Sequence, residues 1–205
     1  GRTPKEAADC GWEQSSFMQG AMATGDVQWL ALAQEWSEDH KWITCNYPNV
    51  LMEHDAANDM SCGQTFAELY LAEASAQGIG NDTYIRSIRD DVLEVLVNRA
   101  KVDDWWWVDA LFMALPVFSR VGHITNDTRF HDKGLALFED ASMRRGLWSA
   151  EDGLYFRDDA AKNQTTPSGQ RVFWGRGNGW AMGALARALM FTPTAHRAHR
   201  VYTHT

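Results

Sequence analysis

No stretch of this 205-residue chain is apolar for long enough to cross a bilayer, and no signal-peptide pattern opens it. The chain starts at Gly1 rather than Met, so cytoplasmic and secreted locations both stay open. Clustered basic residues are missing: 19 Lys and Arg stand against 27 Asp and Glu, a formal net charge of -8, and no basic stripe appears. Neither nucleic acid nor a membrane is expected as a partner, and an acidic ligand would need a local cationic pocket. Cysteine is scarce. Cys10, Cys45 and Cys62 are odd in number, lack metal-ligand spacing and read as buried thiols. Long polar tracts and convincing period-two strands are absent too, which excludes a disordered chain and a sheet protein.

What remains is helical. Apolar periodicity predicts seven helices, at roughly 13–24, 26–40, 60–77, 82–100, 107–121, 127–144 and 178–191, with a small hairpin from 154–156 and 171–174. Three helix starts share one form: Gly25-Asp26-Val27-Gln28-Trp29, Asn81-Asp82-Thr83-Tyr84-Ile85 and Asn126-Asp127-Thr128-Arg129-Phe130. In each, a turn residue precedes an Asp able to cap the first free N–H groups, and a large apolar residue follows. Between them lie helices rich in small residues, such as Met60-Ser61-Cys62-Gly63 and Gly179-Trp180-Ala181-Met182-Gly183-Ala184. Small-residue helices pack closely as an inner ring and the capped ones surround them, which describes an all-α toroid of helical hairpins. Closure of such a ring takes six pairs, so the toroid domain, 1–191, reads as incomplete. Residues 192–205 read as an irregular tail. Its histidines His196, His199 and His204 have poor spacing for a metal site, and no metal is expected.

Ten Trp residues suit the flat faces of sugars as well as cores. Their positions matter more than their number. In Asp103-Asp104-Trp105-Trp106-Trp107-Val108-Asp109 three consecutive indoles cannot all face one core, so at least one, with Trp107 as the candidate, lines a cavity. Asp109 reads equally as a helix cap or as a carboxylic acid whose pKa is raised by burial beside Trp. In Phe173-Trp174-Gly175-Arg176-Gly177-Asn178-Gly179-Trp180, alternate glycines predict a tight turn just before a helix. Arg176 offers a charged fork for a carboxylate, and Trp174 and Trp180 offer walls. A third stretch, His54 to Gln64, places Asp59 at the start of an inner helix. There it is either an N-cap or a second carboxylate at the mouth shared with Asp109.

Together these three segments resemble glycoside hydrolase family 105, the unsaturated rhamnogalacturonyl hydrolases, related to the unsaturated glucuronyl hydrolases of family 88. Trp105 to Pro116 is similar to that family's catalytic-aspartate signature, and Trp174 to Trp180 to its Trp-x-Arg-Gly-Asn-Gly-Trp motif. Gly63-Gln64 through Glu68-Leu69-Tyr70 is similar to the helix after its second important aspartate. The resemblance implies an (α/α)6 toroid, no metal or organic cofactor, and a pectin-type oligosaccharide ending in a 4,5-unsaturated uronic acid, galacturonyl or glucuronyl. It implies hydration of the C4–C5 double bond. Asp109 would protonate C4 and Asp59 would orient the sugar or the water. Arg176 would hold the uronate, with Trp107, Trp174, Asn178 and Trp180 around the ring.

Two departures qualify the transfer. Asn58-Asp59 replaces a frequent Asp-Asp pair, with Asp55 as a substitute, and Arg157 stands where relatives can carry histidine, adding a second cation. Two alternatives accompany this reading. One is a toroid lyase or epimerase, which would use a Tyr or His near the mouth, with His54, His123 and His131 available. The other is a non-catalytic carbohydrate-binding or degenerate fragment.

Overall fold

The computed structural model describes residues 10–52 and 56–205; His54 and Asp55 lie outside them. The chain divides into two compact units, one ending at Arg99 and one beginning at Ala100. Both are helical, and no described helix is long and apolar enough to cross a membrane.

The first unit opens with the hairpin α1 (Trp12–Met22) and α2 (Val27–Asp39). A short helix α3 (Ala56–Met60) leads into α4 (Cys62–Gln77). Next comes a continuous helical stretch built of α5 (Thr83–Arg86), a π-helical segment Ser87–Leu93 and α6 (Glu94–Asn98). Helices α1, α2 and α4 pack on one another around Met18, Met22, Ala33, Trp36, Trp42, Cys62, Phe66 and Leu69. Trp42 stacks on Tyr84 with ring centroids 3.7 Å apart.

The cysteine expectation needs correction here. Cys10, just before α1, and Cys45, in the loop after α2, form a disulfide with a Cα separation of 5.6 Å. The hairpin returns the chain to its own start, a proximity that sequence spacing does not reveal. Cys62 is the buried free thiol, and burial pushes its pKa up to about 12.

The repeated helix starts are real at two places. Asp26 caps α2 by accepting from Gln28 N at 2.8 Å, and Asp127 caps α8 (Thr128–Glu139) by accepting from Arg129 N at 3.0 Å. At the third, Asn81 rather than Asp82 accepts from the backbone, at Thr83 N, 3.0 Å away. Asp82 instead pairs with Arg89.

The second unit is built on α7 (Asp109–Thr125), whose residues Ala110 to Gly122 are all buried. α8 and α9 (Gly175–Leu189) both pack on it. One face of α9, carrying Gly177, Ala181, Ala184 and Ala188, is buried at helical spacing, while Met182 and Met190 are exposed. The small hairpin exists, but its partners differ from expectation. β1 (Trp148–Ser149) pairs with β2 (Leu154–Tyr155), and Arg171 bridges Thr165 instead. Gly153, at φ +64°, makes the reversal between the strands local and cheap.

The tail also departs from expectation. After Pro193 it forms α10 (Arg197–His204), with His196 as N-cap accepting from Ala198 N at 3.1 Å. Ala198 and Tyr202, one turn apart, are buried, and Tyr202 meets Phe138 edge to face. A single buried pair on eight residues is too short a pattern to stand out against Pro, Thr and His.

Candidate active site

The site is assembled in the second unit by three short contacts between segments distant in sequence. Val108 N donates to Arg157 O at 2.9 Å, and Trp107 bridges Asp158, so the chain entering α7 runs beside the chain leaving β2. Asn178, in the first turns of α9, ties that helix to the same hairpin. Its Oδ1 accepts from Tyr155 N at 2.7 Å, and its Nδ2 donates to Tyr155 O at 2.9 Å and to Trp174 O at 3.1 Å. The resemblance gave Asn178 a place around the sugar ring. In the structure its carboxamide is engaged with backbone, because a side chain carrying both a donor and an acceptor matches the edge of a strand.

The expected glycine turn is helix instead. α9 begins at Gly175, three residues earlier than the periodicity placed it, with Trp174 as the extended residue before it. A Cβ on Gly177 would stand 2.6 Å from Val108 Cγ1 and 2.7 Å from Trp174 Cε3. The glycine is required by the closeness of α9 to the start of α7. A turn conformation has no part in it.

The Arg176 guanidinium lies over the Trp174 ring at 4.2 Å from its centroid, and that of Arg157 lies at 5.8 Å from the same ring. The pair of cations foreseen for a carboxylate pocket is therefore gathered about one indole. Trp180 is half-buried against Phe112 of α7, with centroids 4.6 Å apart. Of the three consecutive indoles, Trp105 and Trp107 are buried and Trp106 is the half-buried one. Trp107, expected to line a cavity, is 6% exposed and packs against Trp106, with ring centroids 4.7 Å apart.

Asp109 occupies the first turn of α7 and is half-buried. Burial raises its proton affinity above the ordinary carboxylate range, and the charge of Asp158 adds to this. Its own backbone amide, Arg176 and Arg157 pull the other way without prevailing. Sequence reading missed Asp158, a buried carboxylate that accepts from Ala161 N at 2.9 Å and pairs with Arg157 at 3.3 Å. In a run reading Arg157-Asp158-Asp159, nothing separates a buried acid from a solvated loop charge.

Asp59 belongs to the first unit. It sits inside the short helix α3 and does not cap α4, whose N-cap is Ser61. Asn46 Nδ2 donates to its Oδ2 at 2.9 Å. Neither described histidine proposed for lyase chemistry lies near Asp109. His123 is fourteen residues along the same helix, about 20 Å away at the α-helical rise, and His131 lies against Gly122 at that far end. Among the described residues no cluster of three His, Cys, Asp or Glu side chains is placed to hold a metal ion.

The chain is 29% identical over 209 residues to an unsaturated 3S-rhamnoglycuronyl hydrolase of Alteromonas sp. (strain LOR), spanning 90% of this chain and 48% of that one. It is 30% identical over 193 residues to the unsaturated rhamnogalacturonyl hydrolase YesR of Bacillus subtilis (strain 168), spanning 85% and 50%. The solved glycosyl hydrolase family 88 protein from Bacteroides vulgatus superposes with a TM-score of 0.86 at 24% identity, over 98% of this chain and 59% of that chain. That likeness shows the fold to be of the all-α helical-toroid class. The chain spans about half the length of the curated relatives it matches. Residues 4–205 match the model of Glycosyl Hydrolase Family 88, and the chain belongs to that family.

Proposed function

We propose that this chain carries the acid site of a glycoside hydrolase that removes a 4,5-unsaturated uronic acid from the non-reducing end of a rhamnose-linked oligosaccharide. The observation that carries the reading is Asp109. Its carboxyl is half-buried, burial raises its proton affinity, and two guanidiniums gathered on one indole stand near it. A buried acid suits proton donation near neutrality, and the cations suit a uronate. The names of the relatives support the unsaturated uronyl group and the rhamnose linkage. Pectin-type chains fall within this class, and the reading covers galacturonyl and glucuronyl ends alike.

The chemistry is hydration. The Asp109 carboxyl gives its proton to C4, and water adds at C5 and returns a proton to the carboxylate. The hemiketal at C5 then opens to a ketone by breaking its bond to the ring oxygen. That oxygen remains on C1, and collapse of C1 to an aldehyde releases the aglycone with its glycosidic oxygen. Arg176 and Arg157 hold the uronate carboxylate, with Trp174 beneath them and Trp180 beyond. Asn178 acts through the backbone it holds.

The test follows the alkene absorbance of an unsaturated uronyl-rhamnose disaccharide with the wild type and with Asp109→Asn. Loss of a general acid costs about a hundred- to ten-thousandfold, so the variant should be nearly silent. Equal rates would remove Asp109 from the chemistry. A variant that binds the disaccharide as the wild type does, beside a wild type that leaves the alkene untouched, would make this a binding module.

A further inference from the structure

Arg157 and Arg176 meet over Trp174, and Arg157 pairs with Asp158, but their side chains are long and that of Arg157 is largely solvent-exposed, so these contacts need the backbones beneath them held in place. Arg157 lies two residues after Tyr155, and Arg176 two residues before Asn178. Three hydrogen bonds of 2.7, 2.9 and 3.1 Å join Asn178 to Tyr155 and Trp174. The hairpin is tied to α7 by Val108 N to Arg157 O and to itself by Phe156 N to Leu147 O. Its link to α9 runs through this carboxamide. An aspartate there would lack the donor, and a glutamine would be one methylene too long to meet both backbone groups of one residue.

We infer that Asn178 is a positioning residue for the proposed hydrolase site, a role that rests on that reading: its carboxamide locks α9 to β2 and sets the spacing of Arg176 and Arg157 about Trp174. The consequence reaches Asp109. The charged groups around that carboxyl are Arg176, Arg157 and Asp158, and the two cations hold its proton affinity below what burial alone would give. Releasing the lock lets both cations drift, and Asp109 then holds its proton more tightly.

The experiment is a carbon-13 titration of the Asp109 carboxyl in the wild type and in Asn178→Ala, with Arg176→Gln as a reference for loss of one cation. In Asn178→Ala the Asp109 pKa should rise by about half a unit or more. KM for the unsaturated disaccharide should rise about tenfold, the equivalent of one charge-assisted hydrogen bond, with a smaller change in kcat. A merely structural asparagine would lower kcat through the folded fraction and leave both KM and the titration in place. An unchanged titration in a folded Asn178→Ala overturns the inference. Should that variant fail to fold, Asn178→Ser, polar but too short to meet both backbone groups of Tyr155, takes its place, and an unchanged Asp109 titration there overturns the inference equally. A wild type that turns over no unsaturated substrate sinks the hydrolase reading instead, while the titration still decides the positioning role.

Discussion

Gly177→Ala is the substitution whose cost the structure specifies best. In a helix, alanine is favoured over glycine by up to about 1 kcal/mol, so propensity alone predicts a gain. Against it, the new methyl would meet Val108 Cγ1 at 2.6 Å and Trp174 Cε3 at 2.7 Å, each roughly 1 Å inside an ordinary carbon contact. Val108 is fully buried and cannot yield, so Trp174 or the start of α9 must move. Overpacking of this kind costs about 1–3 kcal/mol, which leaves a net loss of up to about 2 kcal/mol. For a chain of this size that lowers the melting temperature by up to roughly 8 °C. Activity should fall further than stability, because the displaced ring is the one that carries both guanidiniums. Gly179→Ala is the internal control, since its Cβ would meet nothing within 4 Å and should be neutral or stabilising. Thermal melts of the two variants beside the wild type decide the matter. Equal melting temperatures for the two would refute the claim that α9 packs this closely on the chain entering α7.

Three further outcomes are expected. Because Asp109 has a raised folded-state pKa, stability should fall as pH rises from the ordinary carboxylate value of 3.8 through the raised one, then level off. Asp109→Asn removes that loss, so denaturant melts should show the variant more stable than the wild type at neutral pH and equal to it below the ordinary carboxylate range. Burial, helped by His196 and His123, lowers His131 from 6.5 to about 4, so the stability it contributes is complete above 6.5 and is lost as pH falls towards 4. His131→Gln should flatten that acid limb in pH-dependent melts. The Cys10–Cys45 link spans 35 residues, and loop-closure entropy assigns it about 4 kcal/mol. Cys45→Ser, or reduction of the wild type, should lower the melting temperature accordingly, and an unchanged melt would show that the bond does not form.

Long, strongly periodic features were legible in the sequence. The seven expected helices are present, and Asp26 and Asp127 cap as their positions foretold. The gathering of Arg157, Trp174 and Arg176 near Asp109 follows from motifs that specify side chains densely. What stayed hidden depends on three-dimensional proximity. Glycines at 175, 177 and 179 signal a turn by local conformation, yet Gly177 is there for helix packing, which only the position of Val108 reveals. Asn178 looked like a ligand contact because polar motif residues often are, and its backbone partner lies 23 residues away. The disulfide escaped for the same reason, and α10 because one buried pair on a single turn leaves no periodicity to detect.

The central claim is that Asp109 acts on a double bond and leaves the anomeric carbon to a later collapse. The direct measurement is aglycone release from two uronyl-rhamnose disaccharides that differ only in the C4–C5 double bond, under identical conditions. Hydration predicts release from the unsaturated disaccharide, abolished by Asp109→Asn, and none from the saturated one. Release from both at similar rates would place the attack at C1 and contradict the account, as would a helical, folded chain that releases aglycone from neither.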